Sequence, residues 1–118
     1  MIRVIPRPLH AVTDYLFAAA LAASPSLIGF EEEDDAILSA RILAGTTVFA
    51  SLLTRYELGL LRLIPFNWHL RLDFLAALPT LAAPWLFGFE NNKHARNTFL
   101  AFGIFELMAV ALSKRDGD

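Results

Sequence analysis

Two His-x-x-x-Asp pairs are the residues of this chain whose types and spacing best suit chemistry: His10 with Asp14, and His69 with Asp73. On a helix this spacing places an imidazole and a carboxylate on one face, about one turn apart. Together these groups can bind zinc, manganese or iron, and they can also relay protons. The sequence therefore identifies the four side chains as a candidate metal or proton site.

A structural interpretation explains the same residues. Each aspartate could orient or pair with its own histidine, and the pairs could tie the start of a helix to a neighbouring loop. A repeated motif retains folding residues as readily as functional ones. The sequence favours this structural role with no bound cofactor. It leaves metal or haem binding, and binding of protons or another ligand, as the alternatives.

The two pairs occupy equivalent positions of an internal repeat. IPRPLHAVTDYLFAAALAASPSLIGFE (5–31) aligns without gaps to IPFNWHLRLDFLAALPTLAAPWLFGFE (64–90), with 12 identities in 27 positions. Apolar segments with a glycine follow in both halves. The sequence therefore predicts one domain, residues 1–118, built by tandem duplication, with one repeat over about 5–57 and the other over about 64–114.

Each repeat is predicted to form two helices, so the expected fold is all-α. The first helix begins after a proline, is kinked or ended by a second proline, and is followed by a glycine turn. These residues are Pro6, Pro25 and Gly29 in the first repeat and Pro65, Pro84 and Gly88 in the second. The second helix is predicted over 36–54 and 96–113. The alternation of apolar and polar residues that is typical of a β-strand is absent.

The helices are apolar enough to predict a membrane protein. The chain is 56% hydrophobic and 19% charged, and the runs 15–30 and 74–89 are apolar all round, unlike a bundle in water. Because no uncharged run reaches about 18 residues, a soluble four-helix bundle is the alternative. A net charge of −2 indicates no nucleic-acid partner. The absence of cysteine excludes disulfides and thiolate chemistry.

Charge distribution predicts how the four expected spans are oriented. The basic residues that fall in the N-terminus, the middle link and the C-terminus are Arg3, Arg7, Arg55, Arg62, Lys114 and Arg115. The positive-inside rule then places both termini in the cytoplasm, with the acidic run 31–35 outside. The aromatic residues expected at the outer interface are Phe30, Trp85, Phe87 and Phe89. Two spans per repeat predict parallel repeats about a pseudo-two-fold axis along the membrane normal, which could bring the His/Asp pairs together.

Three further residues qualify as site candidates. Glu106 interrupts the apolar fourth helix, where a carboxylate is costly unless paired or neutral. It is expected to face the bundle in a structural or a transport role. Tyr56 and Glu57 could cap the second helix or contact the His/Asp ends. We find no Ser-His-Asp arrangement, phosphate loop or HExxH motif, so no catalytic residue is predicted and an enzyme is disfavoured.

SPSLIGF (24–30) and APWLFGF (83–89) resemble the SPW-repeat family of small bacterial membrane proteins, which is named for a Ser-Pro-Trp motif. The residues that carry the resemblance are Pro25, Gly29, Phe30, Pro84, Trp85, Gly88 and Phe89. Ser26 replaces the tryptophan in the first copy, and Ala83 replaces the serine in the second. The resemblance implies two helices per repeat, a location in the bacterial cytoplasmic membrane, and no particular activity.

The sequence as a whole favours a structural or accessory protein of the lipid bilayer, working as a homo-oligomer or as part of a larger membrane complex. The alternative is a metal-binding or proton-handling membrane protein that uses the paired motifs.

Overall fold

The computed structural model describes residues 2–117, which form four helices and no β-strand. The helices are α1 (Arg7–Ser24), α2 (Asp34–Leu52), α3 (Phe66–Leu86) and α4 (Lys93–Leu112). The predicted all-α fold is therefore confirmed. The second helix of each half begins two or three residues earlier than the sequence predicts, because Asp34, Asp35 and Lys93 already belong to the first turn.

Prolines set the two helix starts as expected, but they act differently at the other ends. Helix α1 starts directly after Pro6 and α3 directly after Pro65, where a fixed φ and a missing N–H are tolerated. Helix α1 ends before Pro25, which opens a π-helical turn over Pro25–Gly29. Helix α3 instead continues through Pro84 to Leu86. Proline removes only one backbone hydrogen bond to the preceding turn, so a packed helix can pass through it.

Glycine is required in both turns that follow. Gly29 has a φ of +92° and Gly88 a φ of +75°. This left-handed backbone is readily accessible only to glycine. Both turns therefore keep the glycine that the repeat places there.

Helix α1 packs chiefly on α2, and α3 on α4. The core at one end of the bundle contains the aromatic side chains Phe17, Phe30, Phe89 and Phe99. The predicted place of Phe30 and Phe89 in an aromatic belt is wrong, because both are buried there, 1% and 2% exposed. The glycine turns fold these phenylalanines back over the helix ends. Trp85 and Phe87 are exposed.

Short extended segments tie the helices together at the opposite end. Ile5 pairs with Ser113 through a parallel β-bridge, and Thr54 pairs with Ile64 in the same way. These bridges bring the end of α4 to the start of α1, and the end of α2 to the start of α3. They decide which side chains surround the two histidines.

The outer surface of the bundle carries many large apolar side chains, among them Leu16, Phe49, Leu75 and Ile104. Three helical segments are long and apolar enough to cross a membrane: Arg7–Gly29, Asp34–Leu52 and Lys93–Leu112. Helix α3 is as long, but its first half carries His69, Arg71 and Asp73. The protein is therefore an all-helical chain with helices able to span a membrane.

Candidate functional site

The two His/Asp pairs meet at the end of the bundle where α1 and α3 begin. His10 and Asp14 lie in the first turns of α1, and His69 and Asp73 in the first turns of α3. One nitrogen or oxygen atom from each of the four side chains lies within 4.8 Å of all the others. His10, Asp14 and His69 are buried, and Asp73 is nearly so, with 13% of its side chain exposed. We call these four residues the His/Asp cluster.

Contacts in the cluster cross between the two helices. His10 Nε2 lies 3.2 Å from Oδ1 of Asp14 on its own helix and 3.0 Å from Oδ2 of Asp73. His69 Nε2 lies 3.2 Å from Oδ2 of Asp73 on its own helix and 2.9 Å from Oδ2 of Asp14. Pairing of each aspartate with its own histidine, the simplest structural interpretation, therefore describes only half of the contacts.

A serine at the end of α4 fixes the ring of His10. The Oγ atom of Ser113 lies 2.7 Å from His10 Nδ1 and donates its own proton to the carbonyl oxygen of Ala109 at 2.5 Å. With its proton committed, this hydroxyl can only accept from the ring, so Nδ1 of His10 carries a hydrogen. The other ring nitrogen, Nε2, is the one that faces the carboxylates.

A threonine at the end of α2 does the same for His69. Thr54 Oγ1 lies 2.6 Å from His69 Nδ1 and donates to the carbonyl oxygen of Ala50 at 2.7 Å. Neither Thr54 nor Ser113 stands out in the sequence as a site residue. The internal repeat carried the signal, because the two hydroxyl residues occupy equivalent positions 59 residues apart.

With both rings neutral and both aspartates ionised, the cluster carries two uncompensated negative charges. A neutral imidazole with its hydrogen on Nδ1 directs a lone pair from Nε2 at ionised carboxylates, which are acceptors only. Either protonation of both rings or a cation between the four groups removes this repulsion. Although His69 Nε2 is only 2.9 Å from Asp14 Oδ2, it makes no well-aligned hydrogen bond with any described residue. The cluster can thus bind a cation or share protons.

Tyr56, in the link after α2, completes one side of the cluster. Its hydroxyl donates to Asp14 Oδ2 at 2.9 Å, and the side chain is buried. Burial raises the pKa of Tyr56 well above its ordinary value, and the negative charge of Asp14 raises it further. Tyr56 therefore remains a hydrogen-bond donor. The sequence suggests that Tyr56 caps the second helix or contacts the His/Asp ends, and the structure shows the contact with the cluster.

Other charged residues of the same end lie outside the cluster. Glu57 pairs with Arg7 at 3.0 Å on the surface, where the hydrogen bond from Arg7 lowers the pKa of Glu57. The guanidinium of Arg71 lies 4.6 Å from the ring centre of Trp68, a cation–π arrangement.

Glu106 lies inside the bundle, as expected, and is only 8% exposed. It lines a cavity of about 170 Å³ together with Asp73. Its Oε1 atom has no hydrogen-bond partner among the described residues. The structure therefore places Glu106 beside the cluster but not among its four converging groups.

Residues 8–113 match the family model of the SPW repeat domain. No curated protein and no solved structure matches the chain. The match spans all four helices except the first residue of α1. It includes both of the segments, 24–30 and 83–89, on which the sequence resemblance depends. The chain therefore belongs to the SPW repeat family.

Proposed function

We propose that the His/Asp cluster binds one divalent transition-metal ion and that this ion joins α1 to α3. The observation that carries the proposal is the convergence of four largely enclosed donor atoms within 4.8 Å, one of which, His69 Nε2, lacks an aligned hydrogen bond. Two imidazolium protons can serve only two of the four short nitrogen–oxygen contacts. A metal ion makes a bond to each donor.

The donor set suits the ion in type, charge and size. Neutral imidazoles and carboxylates favour zinc, manganese or iron, and two aspartates balance a divalent charge. Bonds of about 2.0–2.2 Å place tetrahedral ligands roughly 3.3–3.6 Å apart. The nitrogen–oxygen distances of 2.9–3.2 Å would widen by a few tenths of an ångström, and any donor pair near the 4.8 Å limit would shorten. The hydroxyls of Thr54 and Ser113 are outer partners of the kind that orient metal-bound histidines.

The metal has a structural consequence that agrees with an accessory role in the membrane. An ion held by residues of α1 and α3, whose rings are fixed from α4 and α2, connects all four helices. Because the ion binds only the folded arrangement, its binding free energy adds to folding stability. We also propose that the bundle works as a homo-oligomer or as part of a larger membrane complex.

We further propose that the bundle is a tandem duplication with four spans. Contacts that recur at a 59-residue interval support this, since Ile5 with Ser113 and Ile64 with Thr54 form equivalent bridges. They favour parallel repeats about a pseudo-two-fold axis along the membrane normal. Helix α3 would be the fourth span, because Leu75 and Leu78 are exposed on its surface like the apolar residues of the other helices.

The proposed orientation places the cluster at the cytoplasmic face of a bacterial cytoplasmic membrane, with both termini on that side. Its end of the bundle carries Arg7, Arg55, Arg62 and Lys114, whereas the opposite loops begin with the acidic run 31–35. This distribution follows the positive-inside rule. A cysteine-accessibility assay at introduced sites in the two loops would contradict the orientation if the acidic loop were labelled only from inside.

A second candidate function is a proton-sharing ion-pair cluster without metal. The hydrogen-bonding geometry of His10 Nε2 with Asp73 Oδ2 favours it, because two imidazolium ions and two carboxylates are also neutral together. It corresponds to a purely structural or proton-handling role. The metal analysis described in the next paragraph separates this function from metal binding.

The test is metal analysis with visible absorption on protein purified in mild detergent without chelators, then reloaded with Zn²⁺, Mn²⁺ or Fe²⁺. Metal binding predicts one ion per chain, lost in His10→Ala and in His69→Ala. His94→Ala is the matched control, because His94 is exposed near the start of α4. A folded, colourless wild-type protein that takes up none of the three ions would overturn the metal proposal and favour the ion-pair cluster.

A further inference from the structure

A cavity of about 170 Å³ extends from Asp73 into the middle of the bundle. All four helices contribute to its wall. Its polar lining residues are Thr46, Thr47, Asp73, Thr80 and Glu106. At about 30 Å³ for each water molecule, the space is large enough for a small ion with a few waters.

The hydroxyl groups of this wall can only accept further hydrogen bonds. Thr46, Thr47 and Thr80 each donate their proton to the carbonyl oxygen four residues earlier on the same helix, at 2.7, 2.9 and 2.8 Å. Each oxygen keeps lone pairs for another partner. The polar part of the cavity wall therefore consists of acceptors.

Two carboxylates add to these acceptors. Both histidines contact Oδ2 of Asp73, so its Oδ1 is not used by either ring. Glu106 is 8% exposed, and its Oε1 has no partner among the described residues. An unpaired charged group in the interior of a membrane bundle is costly.

The cavity lacks a positive charge to balance Glu106. The His/Asp cluster is neutral whether two ring protons or one divalent ion balance its aspartates. The residues that line the cavity include no basic side chain. When Glu106 is ionised, its carboxylate is the single uncompensated charge among the residues that line the cavity, and one monovalent cation would neutralise it.

We propose that this cavity binds an alkali-metal cation such as Na⁺, with Glu106 as its charged ligand. Hydroxyl and carboxylate oxygens are the donors that such hard cations prefer. The site is distinct from the metal centre in donor type, because it offers only oxygen. Thr47 occupies the position 59 residues before Glu106, so only the second half of the chain supplies a carboxylate here.

Thermal unfolding of the detergent-purified protein tests the site. Tm is measured in increasing NaCl, with choline chloride keeping the ionic strength constant and the buffer held at one alkaline pH so that protons compete least. Selective binding to the folded state predicts a saturable rise of about 4 °C or more. Glu106→Gln, which keeps the shape and removes the charge, should abolish the rise.

Two further variants make the result specific. Glu90→Gln is the matched control, because Glu90 also has a buried unpartnered oxygen but lies in the loop after α3, and it should respond to Na⁺ like the wild type. Thr80→Val, which removes one oxygen, should raise the Na⁺ concentration for half of the shift by about tenfold, the value of a weakened ion contact.

Two results would overturn the proposal: equal responses to Na⁺ and choline in the wild type, or an unchanged Na⁺ response in folded Glu106→Gln. The first result would mean that a proton compensates Glu106. Repeating the series on chelator-treated protein separates this inference from the metal centre. A Na⁺ response that persists there supports the cavity site even if metal analysis shows no transition metal.

Discussion

His10 reaches across the α1–α3 interface to Asp73, with 3.0 Å between Nε2 and Oδ2. The 3.2 Å contact with Asp14, one turn away on its own helix, is longer. The same exchange of partners holds for His69. The paired motifs therefore act between helices, and their loss should loosen the packing of one half of the bundle on the other.

Coupling between His10 and Asp73 should be measurable as non-additive stability. Removing one partner leaves the other with only the 3.2 Å contact on its own helix, and breaking a buried ion pair in this way costs up to about 3–5 kcal/mol. We expect His10→Ala and Asp73→Ala to destabilise strongly and the double variant to cost clearly less than their sum. Chemical unfolding in detergent measures the three values. Strict additivity would contradict direct coupling, and Asp116→Ala, at an exposed carboxylate, serves as the control.

The hydroxyls behind the histidines should control metal affinity without being ligands. Thr54→Val removes the acceptor of the His69 Nδ1 hydrogen while keeping the side-chain shape. Loss of such an outer partner typically lowers affinity about 10–100-fold. Ser113→Ala should have the same effect through His10. Competition against a chromophoric chelator measures the affinity, with Ser39→Ala, an exposed helix hydroxyl, as the control. Unchanged affinity in both variants would show that the rings are oriented by packing alone.

Tyr56 should make stability sensitive to alkaline pH. Because its pKa is raised in the folded protein, its contribution is complete below the ordinary tyrosine pKa of about 10 and is lost as pH rises beyond that value. Tyr56→Phe should reduce stability near neutral pH by about 1–3 kcal/mol, through the unsatisfied Asp14 oxygen. It should also flatten the alkaline decline. Unfolding curves from pH 8 to the highest tolerated pH measure both effects, and parallel profiles for the two proteins would contradict the assignment.

The two kinds of glycine should respond oppositely to alanine. Gly88→Ala forces a side chain into the left-handed region without a steric clash, at a cost of about 1–2 kcal/mol. Gly45→Ala lies within α2 with open space around the new methyl group, so it should stabilise by about 0.5–1 kcal/mol. Thermal unfolding of the pair tests the turn, and equal shifts would show that the backbone at Gly88 relaxes.

Much of this architecture could be predicted from the repeat. Pro6 and Pro65 indicated the helix starts, and the matched His-x-x-x-Asp motifs indicated four residues worth following. The exchange of partners could not be predicted, because it depends on how the two halves of the bundle bring the starts of α1 and α3 together. Thr54 and Ser113 resemble ordinary residues at helix ends. Their 59-residue spacing shows only that they are equivalent, and their distances from the histidine rings show what they do.

Pro84, Phe30 and Phe89 depart from what their local sequence predicts for a related reason. Pro84 is predicted to kink or end the helix, and the structure excludes the end, because α3 continues two residues beyond it. Phe30 and Phe89 are typical of an interfacial belt, but the turns at Gly29 and Gly88 direct them into the core. In each case a tertiary contact outweighed a local preference.

The bridge between Ile5 and Ser113 joins nearly opposite ends of the described chain. During translation the first helix leaves the ribosome long before residue 113 is made. The hydroxyl partner of His10, Ser113, is therefore synthesised only after α4 is complete. The partner of His69, Thr54, is synthesised before His69 itself. A chain halted before α4 would therefore contain the hydroxyl partner of one histidine ring and lack that of the other.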